Sequence, residues 1–173
     1  MTLIVRRIVT GHDASGSAVV VSDERIAAVS RRVRAGTTSS EMWSTDRIPV
    51  DNSAAALDAQ RAGFVGRLNT YNYVGNAQGT AFHITSFAPG SARFTHRTES
   101  LDYVIVLSGT LDMELDEGRT VSLSAGDVVV QRGTTHTWIN TGDMPAILAF
   151  VLIDAQPVVA GNTVLRTFYP DPT

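Results

Sequence analysis

Three polar side chains share one side of a predicted strand in the segment GSARFTHRTESLDYVIVLSG, residues 90–109. His96, Thr98 and Asp102 lie at even-numbered positions of the same segment. Residues two positions apart on a strand point to the same face. A carboxylate that precedes the apolar run YVIVLSG is costly to bury unless a cation or several hydrogen-bond donors meet it. The spacing therefore predicts that His96 and Asp102 face a polar site inside the fold.

A second histidine has a similar setting in GDVVVQRGTTHTWIN, residues 126–140, where His136, Trp138 and Asn140 form another one-sided row. If the two strands are neighbours, two imidazoles and a carboxylate converge. Two histidines and one carboxylate can hold divalent iron, zinc or manganese. The sequence therefore indicates a candidate metal site whose ligands are His96, Asp102 and His136.

Two kinds of enzyme fit these residues. A bound metal would act as a Lewis acid on a carbonyl or carboxylate oxygen of a small molecule, which suits lyase, dehydratase or isomerase chemistry. Iron would also permit a dioxygenase. Without a metal, His96 and His136 would be general acid and base, with Asp102 orienting one imidazole. Activity would then depend on pH near the roughly 6.5 of an unperturbed imidazole, shifted by burial and by Asp102.

Under either mechanism, neighbouring side chains would shape a substrate pocket, and the candidates are Thr98, Trp138 and Tyr103. A third hypothesis is a protein without catalysis that binds a small ligand or assembles with a partner. Metal analysis of the purified protein separates the metal-dependent enzyme from the other two.

Composition excludes several functions. The chain has no cysteine, so disulfides and thiolate chemistry are absent, and all its basic residues are arginine, which excludes a lysine Schiff base. The net charge of −3 and the lack of like-charge blocks argue against nucleic acid and anionic membranes as partners. We expect a cytoplasmic protein without a membrane segment, and we expect the arginine-rich stretch SRRVRAG, residues 30–36, to be solvated.

From residue 80 onward the sequence predicts short strands separated by Gly and Asp turns. Evenly spaced strands without amphipathic helices indicate an all-β fold, an antiparallel barrel or sandwich. We assign residues 80–154 to this barrel, residues 1–79 to an N-terminal extension and residues 155–173 to a C-terminal tail.

The extension itself carries few signals. Its first part predicts a hairpin that turns near DASGS, NSAAALDAQRAGF at 52–64 could form a short helix, and the remainder is predicted to be loop. Either the hairpin, around residues 3–21, or the tail NTVLRTFYPDP could add strands to the sheet of a second copy. We therefore expect a homodimer.

The two histidine fragments resemble the motifs of the cupin superfamily, specifically small single-domain cupins of the conserved-barrel type. The first motif is Gly, five residues, His-x-His, three or four residues, Glu, six residues, Gly. Every one of these spacings is kept here, and its fixed positions are Gly90, His96, Thr98, Asp102 and Gly109. The second motif is met, one residue short and with Gln131 replacing a proline, by Gly126, Gly133, His136 and Asn140.

This resemblance implies a jelly-roll-like antiparallel β-barrel, also called a double-stranded β-helix, that carries an N-terminal extension. It also implies a divalent metal, Fe, Mn, Zn or Ni, and pairing of two copies. Thr98 stands in the place of the second histidine and Asp102 in that of the glutamate. The unaltered ligand positions are therefore His96 and His136.

Overall fold

The computed structural model describes residues 2–30, 34–45, 47–53 and 79–169. These residues form antiparallel β-strands and one short 3₁₀ turn at Asp116–Gly118. The strands are β1 Ile4–His12, β2 Ala18–Ala27, β3 Val29–Ser30, β4 Thr37–Thr45, β5 Thr80–Phe87, β6 Ser100–Ser108, β7 Thr110–Glu114, β8 Thr120–Ser124, β9 Val128–Arg132, β10 Thr137–Ile139, β11 Ala146–Asp154, β12 Val158–Ala160 and β13 Thr163–Leu165.

Two sheets enclose the main core. The larger has the strand order β3-β4-β5-β11-β6-β9, and the smaller has the order β10-β7-β8. Their facing side chains form an apolar cluster of Phe87, Val104, Val106, Leu111, Met113, Leu123, Trp138, Ala146 and Leu148. The predicted all-β, jelly-roll-like fold is confirmed, although the hydrogen bonds of the described strands do not close these sheets into a continuous barrel.

Strand β6 shows the two-residue period that the sequence predicts. Asp102, Val104 and Val106 are buried between the sheets, whereas Tyr103 and Ile105 are 43% and 40% exposed on the opposite face. The same parity extends back to His96 and Thr98, which are also buried. The prediction that these polar side chains point inward with the apolar ones holds, although β6 begins only at Ser100 and the chain bends at Glu99.

The predicted N-terminal hairpin is present, formed by β1 and β2 around a turn at residues 13–17. It packs on the outer face of the large sheet, where Val5 and Ile26 contact a small cluster of Met42, Ile84 and Ala149. The prediction of loop is wrong for residues 37–45, because β4 pairs with β5 along its whole length. The predicted helix falls almost entirely outside the described residues.

The C-terminal tail folds back on its own chain. Strands β12 and β13 form a hairpin, and Phe168 then pairs with Arg97 through two backbone hydrogen bonds of 2.9 Å. Its last described residues therefore lie beside the segment that carries His96. In the part of the chain that is described, no helix is long and apolar enough to cross a membrane.

Candidate functional site

The two motif histidines are direct cross-strand neighbours. The His96 backbone N–H donates to the His136 carbonyl at 3.1 Å, and the reverse bond is 3.0 Å. Their ring centroids are 4.5 Å apart, and the residues are only 8% and 3% exposed. The structure thus brings together the two imidazoles that the sequence singled out.

The hydrogen bonds of His96 fix its tautomer. Its Nδ1 lies 3.0 Å from the Phe94 carbonyl, which can only accept, so Nδ1 carries the hydrogen. The other ring nitrogen, Nε2, lies 3.4 Å from Nη2 of Arg34, a group that can only donate. Burial, and then the charges of Arg34 and His136, hold the pKa of His96 well below its usual value. His96 is therefore a neutral imidazole whose Nε2 carries no hydrogen.

His136 is held in a similar way. Its Nδ1 lies 3.0 Å from the Thr134 carbonyl and 2.8 Å from the side-chain nitrogen of Gln131, while Trp138 packs edge-on at 5.6 Å between centroids. Burial, against the bond to Thr134 and with a smaller effect of the Arg34 charge, lowers the pKa of His136 to about 4. His136 is therefore neutral at physiological pH.

Asp102 belongs to a short chain of hydroxyl groups. The Ser100 hydroxyl donates to its Oδ1 at 2.6 Å, and Ser100 lies 2.8 Å from the Thr98 hydroxyl. Burial raises the pKa of Asp102 to about 6, against the effect of the Ser100 bond. Asp102 also pairs with Gln131 across strands β6 and β9. The side chain of Gln131 in turn contacts His136.

The predicted three-ligand metal site is not assembled. Among the described residues, no group of three His, Asp or Glu side chains could hold a metal ion, although His96, Asp102 and His136 are all described. The Arg34 guanidinium is also directed at Nε2 of His96, and its charge repels a cation at the atom that would bind one. The residues present therefore do not fit a divalent metal held by two histidines and one carboxylate.

Two further residues border His96. The Arg34 guanidinium carbon lies 3.9 Å from the centroid of the Phe94 ring. The Tyr169 ring is nearly parallel to His96, at 14° and 6.0 Å between centroids. Burial raises the pKa of Tyr169 to about 12. The prediction of a solvated stretch at 30–36 is wrong for Arg34, which is partly buried against these rings.

The remaining candidates divide between the interior and the surface. Thr98 and Trp138 are buried, and Trp138 belongs to the apolar core. Tyr103 is a correction: it lies on the outer face of β6, away from Asp102, because adjacent residues of a strand point to opposite faces. Tyr103 therefore does not line the same interior as the histidines.

Comparisons with known proteins agree with this architecture. The family model described as Cupin domain matches residues 83–153. Phomopsin biosynthesis cluster protein C' of Diaporthe leptostromiformis is 33% identical over 153 residues, which cover 88% of this chain and 79% of that protein. The cupin-domain-containing oxidoreductase fogC of Aspergillus ruber is 34% identical over 163 residues, 91% of this chain and 76% of that protein.

A solved structure extends the similarity of fold. The polyketide cyclase RemF from Streptomyces resistomycificus superposes with a TM-score of 0.51 at 16% identity, covering 85% of this chain and 83% of that one. At this identity the likeness concerns the fold alone. Family membership rests on the fogC protein, whose similarity spans most of both chains, and the matched family model agrees with it: this chain belongs to the cupin superfamily.

Proposed function

We propose that the chain is an enzyme that transfers protons on a small organic molecule containing a carbonyl group, with His96 and His136 as the acid and base. The observation that carries the proposal is the buried pair of neutral imidazoles, bonded to each other through their backbones with ring centroids 4.5 Å apart. Isomerisation, dehydration and elimination all need such transfers.

The chemistry follows from the ring nitrogens. Nε2 of His96 accepts a proton from the carbon beside the carbonyl group, and the Phe94 carbonyl, bonded to Nδ1, offsets part of the repulsion between Arg34 and the imidazolium that forms. Because burial makes this cation a strong acid, it returns its proton readily. His136, which is also neutral, takes a proton from a second position of the substrate and returns it to the product, so the protons balance and the reaction changes no oxidation state of the protein.

The relatives support an enzyme of small-molecule biosynthesis. Cluster protein C' carries the name of phomopsin biosynthesis, and the fogC protein is named an oxidoreductase. Removal of a proton beside a carbonyl group is the step that the residues of this chain are equipped to perform in such a pathway. We therefore expect a small biosynthetic intermediate as the substrate.

The test is proton exchange in deuterated water. Small ketones, aldehydes and keto acids are incubated with the protein, and NMR follows the loss of the C–H signal beside the carbonyl group. We expect exchange that falls by about 10²-fold or more in His96→Gln and His136→Gln, and that survives chelator treatment. His12→Gln, at the end of the exposed hairpin strand, is the matched control. Exchange that is equal in the wild type and both variants would refute the proposal.

A metal held by the histidines alone is the second candidate. Each Nδ1 contacts a backbone carbonyl, and such contacts are also what orients metal-binding histidines. Elemental analysis after purification without chelator, and after incubation with iron, manganese, zinc, nickel or cobalt, tests it directly. Stoichiometric metal that is lost in His96→Ala and His136→Ala, and bound more tightly by Thr98→His, would favour this candidate. Protein that stays free of metal would exclude it.

A further inference from the structure

The C-terminal tail is attached to the segment that enters the histidine site. Phe168 and Arg97 exchange two backbone hydrogen bonds of 2.9 Å. The backbone N–H of Glu99 donates to the Thr167 hydroxyl at 3.1 Å, and the N–H of Thr167 donates to the Glu99 carboxylate at 3.1 Å. These paired contacts fix the register of the tail against residues 97–99. They therefore also fix the position of the residue that follows Phe168.

That next residue, Tyr169, lies over the histidine site. Phe168 is 46% exposed, whereas Tyr169 turns inward and places its ring 6.0 Å from His96 and 6.2 Å from Phe94. A solvated tail would gain more by burying the more apolar side chain of phenylalanine. The residue buried instead carries a hydroxyl group, which is a hydrogen-bond donor.

Arg34 reaches the same site from the other end of the chain. Its loop is anchored to the segment before His96, since Ala88 donates to the Gly36 carbonyl at 2.9 Å and Ala92 to the Ala35 carbonyl at 2.8 Å. The guanidinium stacks on Phe94 and contacts Nε2 of His96. A guanidinium stays charged at every physiological pH, so a fixed positive charge stands beside the base.

We propose that Arg34 and Tyr169 bind an anionic oxygen of the substrate, the carboxylate or enolate oxygen of an organic acid or ketone, opposite the histidine pair. This inference rests on the proposed function and names the substrate class of the same site. When His96 takes a proton from carbon, the electron pair of that C–H bond forms a C=C bond, and the π pair of the carbonyl group moves onto its oxygen to give an enolate. Arg34 and Tyr169 donate hydrogen bonds to that oxygen and keep their own protons, and no redox partner is required.

The aromatic rings around Arg34 suggest the probe. Benzoate carries a planar carboxylate on an aromatic ring, and benzamide has the same shape without the charge. Titration calorimetry on the full chain measures both affinities. We expect benzoate to bind about tenfold or more tightly than benzamide, as a charge-assisted hydrogen bond to a guanidinium provides.

The variants assign this preference to residues. Arg34→Gln should remove the preference for benzoate, and Tyr169→Phe should reduce it several-fold, while Phe168→Leu, at the exposed neighbouring position, should leave it unchanged. Thermal unfolding confirms that each variant is folded. Equal binding of benzoate and benzamide by the wild type, or an unchanged preference in folded Arg34→Gln, would overturn the inference.

A fourth variant separates this inference from the proposed function. His96→Gln removes the base and should abolish proton exchange, yet it should keep the preference for benzoate because the anion-binding groups remain. Failure of exchange in the wild type with a retained benzoate preference would refute the acid and base roles alone. Exchange that depends on His96 without any preference for benzoate would refute the anion site alone.

Discussion

Asp102 is a buried carboxyl group that costs stability when it ionises. Its pKa is raised by burial to about 6 in the fold, whereas an unfolded aspartate titrates near 3.8. The folded state thus holds the proton more tightly, so stability falls as pH rises through this interval and stays lower above it. The difference between the two values corresponds to roughly 3 kcal/mol at neutral pH.

Asp102→Asn should therefore stabilise the protein at pH 7 by up to about 3 kcal/mol, since the amide oxygen can still accept the Ser100 bond. Little difference from the wild type is expected at pH 4, where both side chains are neutral in the fold. Urea unfolding between pH 4 and pH 8 measures the effect. Asp143→Asn, in the exposed turn before β11, is the control, and a loss of stability at pH 7 in Asp102→Asn would contradict this account.

The titration of His136 sets the acid limit of activity. Because its pKa lies at about 4, His136 stays neutral well below the roughly 6.5 at which an unperturbed imidazole titrates. As pH falls, proton exchange should decline near pH 4, after circular dichroism has confirmed that the protein is still folded. The Gln131→Ala variant tests whether a decline in activity belongs to His136, because its midpoint should then shift. A decline near pH 6.5 that shifts in this way would show that the site is more hydrated than the structure indicates.

At the same scale, the sequence located part of the site. Strand parity and the motif spacing correctly predicted that His96, His136 and Asp102 are buried, because a strand fixes which residues share a face. The same parity places Tyr103 on the outside. Arg34 and Tyr169 could not be foreseen, since loop and tail residues have no period and their contacts with His96 span distant parts of the sequence.

Among the elements, the turn between β6 and β7 depends on a glycine. Gly109 has φ 77°, and a Cβ there would lie 2.8 Å from the Pro145 carbonyl oxygen. Gly118 has a similar φ of 68°, but a Cβ there would meet nothing within 4 Å. The two positions therefore separate the effect of backbone conformation from that of close contact.

Gly118→Ala should cost about 1–2 kcal/mol for the left-handed conformation. Gly109→Ala should cost a further 1–3 kcal/mol, approximately, because the backbone of residues 145 and 146 must move. Chemical denaturation of both variants measures the difference. Equal losses of stability would mean that the close approach of Pro145 is relieved without cost.

Strand β4 shows why one element escaped prediction. Its sequence, TTSSEMWST, lacks alternating apolar residues because the side chains it turns inward include Ser39, which hydrogen-bonds to Thr85 at 3.0 Å. A strand that faces a polar interior does not carry the period of a hydrophobic core. The strands from residue 80 onward were predicted correctly because their inner residues pack against the apolar cluster.

For the whole molecule, an apolar outer face remains open to solvent. Five residues of β6 and β9 form it, with exposures of 43% for Tyr103, 40% for Ile105, 49% for Leu107, 63% for Val128 and 56% for Val130. Tyr103 pairs with Val130 and Ile105 with Val128 across the strands. Ile105 also pairs with Ala149 of β11, and the N-terminal hairpin helps to cover Ala149. The exposed apolar face is therefore continuous with the part of the large sheet on which the hairpin packs.

We expect two copies to pair through this face, since a contiguous apolar patch indicates an interaction surface and the tail is already paired within its own chain. The double variant Ile105→Glu, Val128→Glu should be monomeric by analytical ultracentrifugation. Val159→Glu, at a position 65% exposed on the tail hairpin, should leave the dimer intact. A monomeric wild type at micromolar concentration would contradict this prediction.

Because Trp138 contacts His136 edge-on, its fluorescence can report on the state of the site. The chain has two tryptophans, and the other, Trp43, lies near Arg7 beneath the N-terminal hairpin. In a Trp43→Phe background, the fluorescence of Trp138 should change when the His136 imidazole acquires a proton. It should also change when a bound ligand moves that imidazole. One fluorescence titration would then follow protonation and occupancy of the histidine pair without any added label.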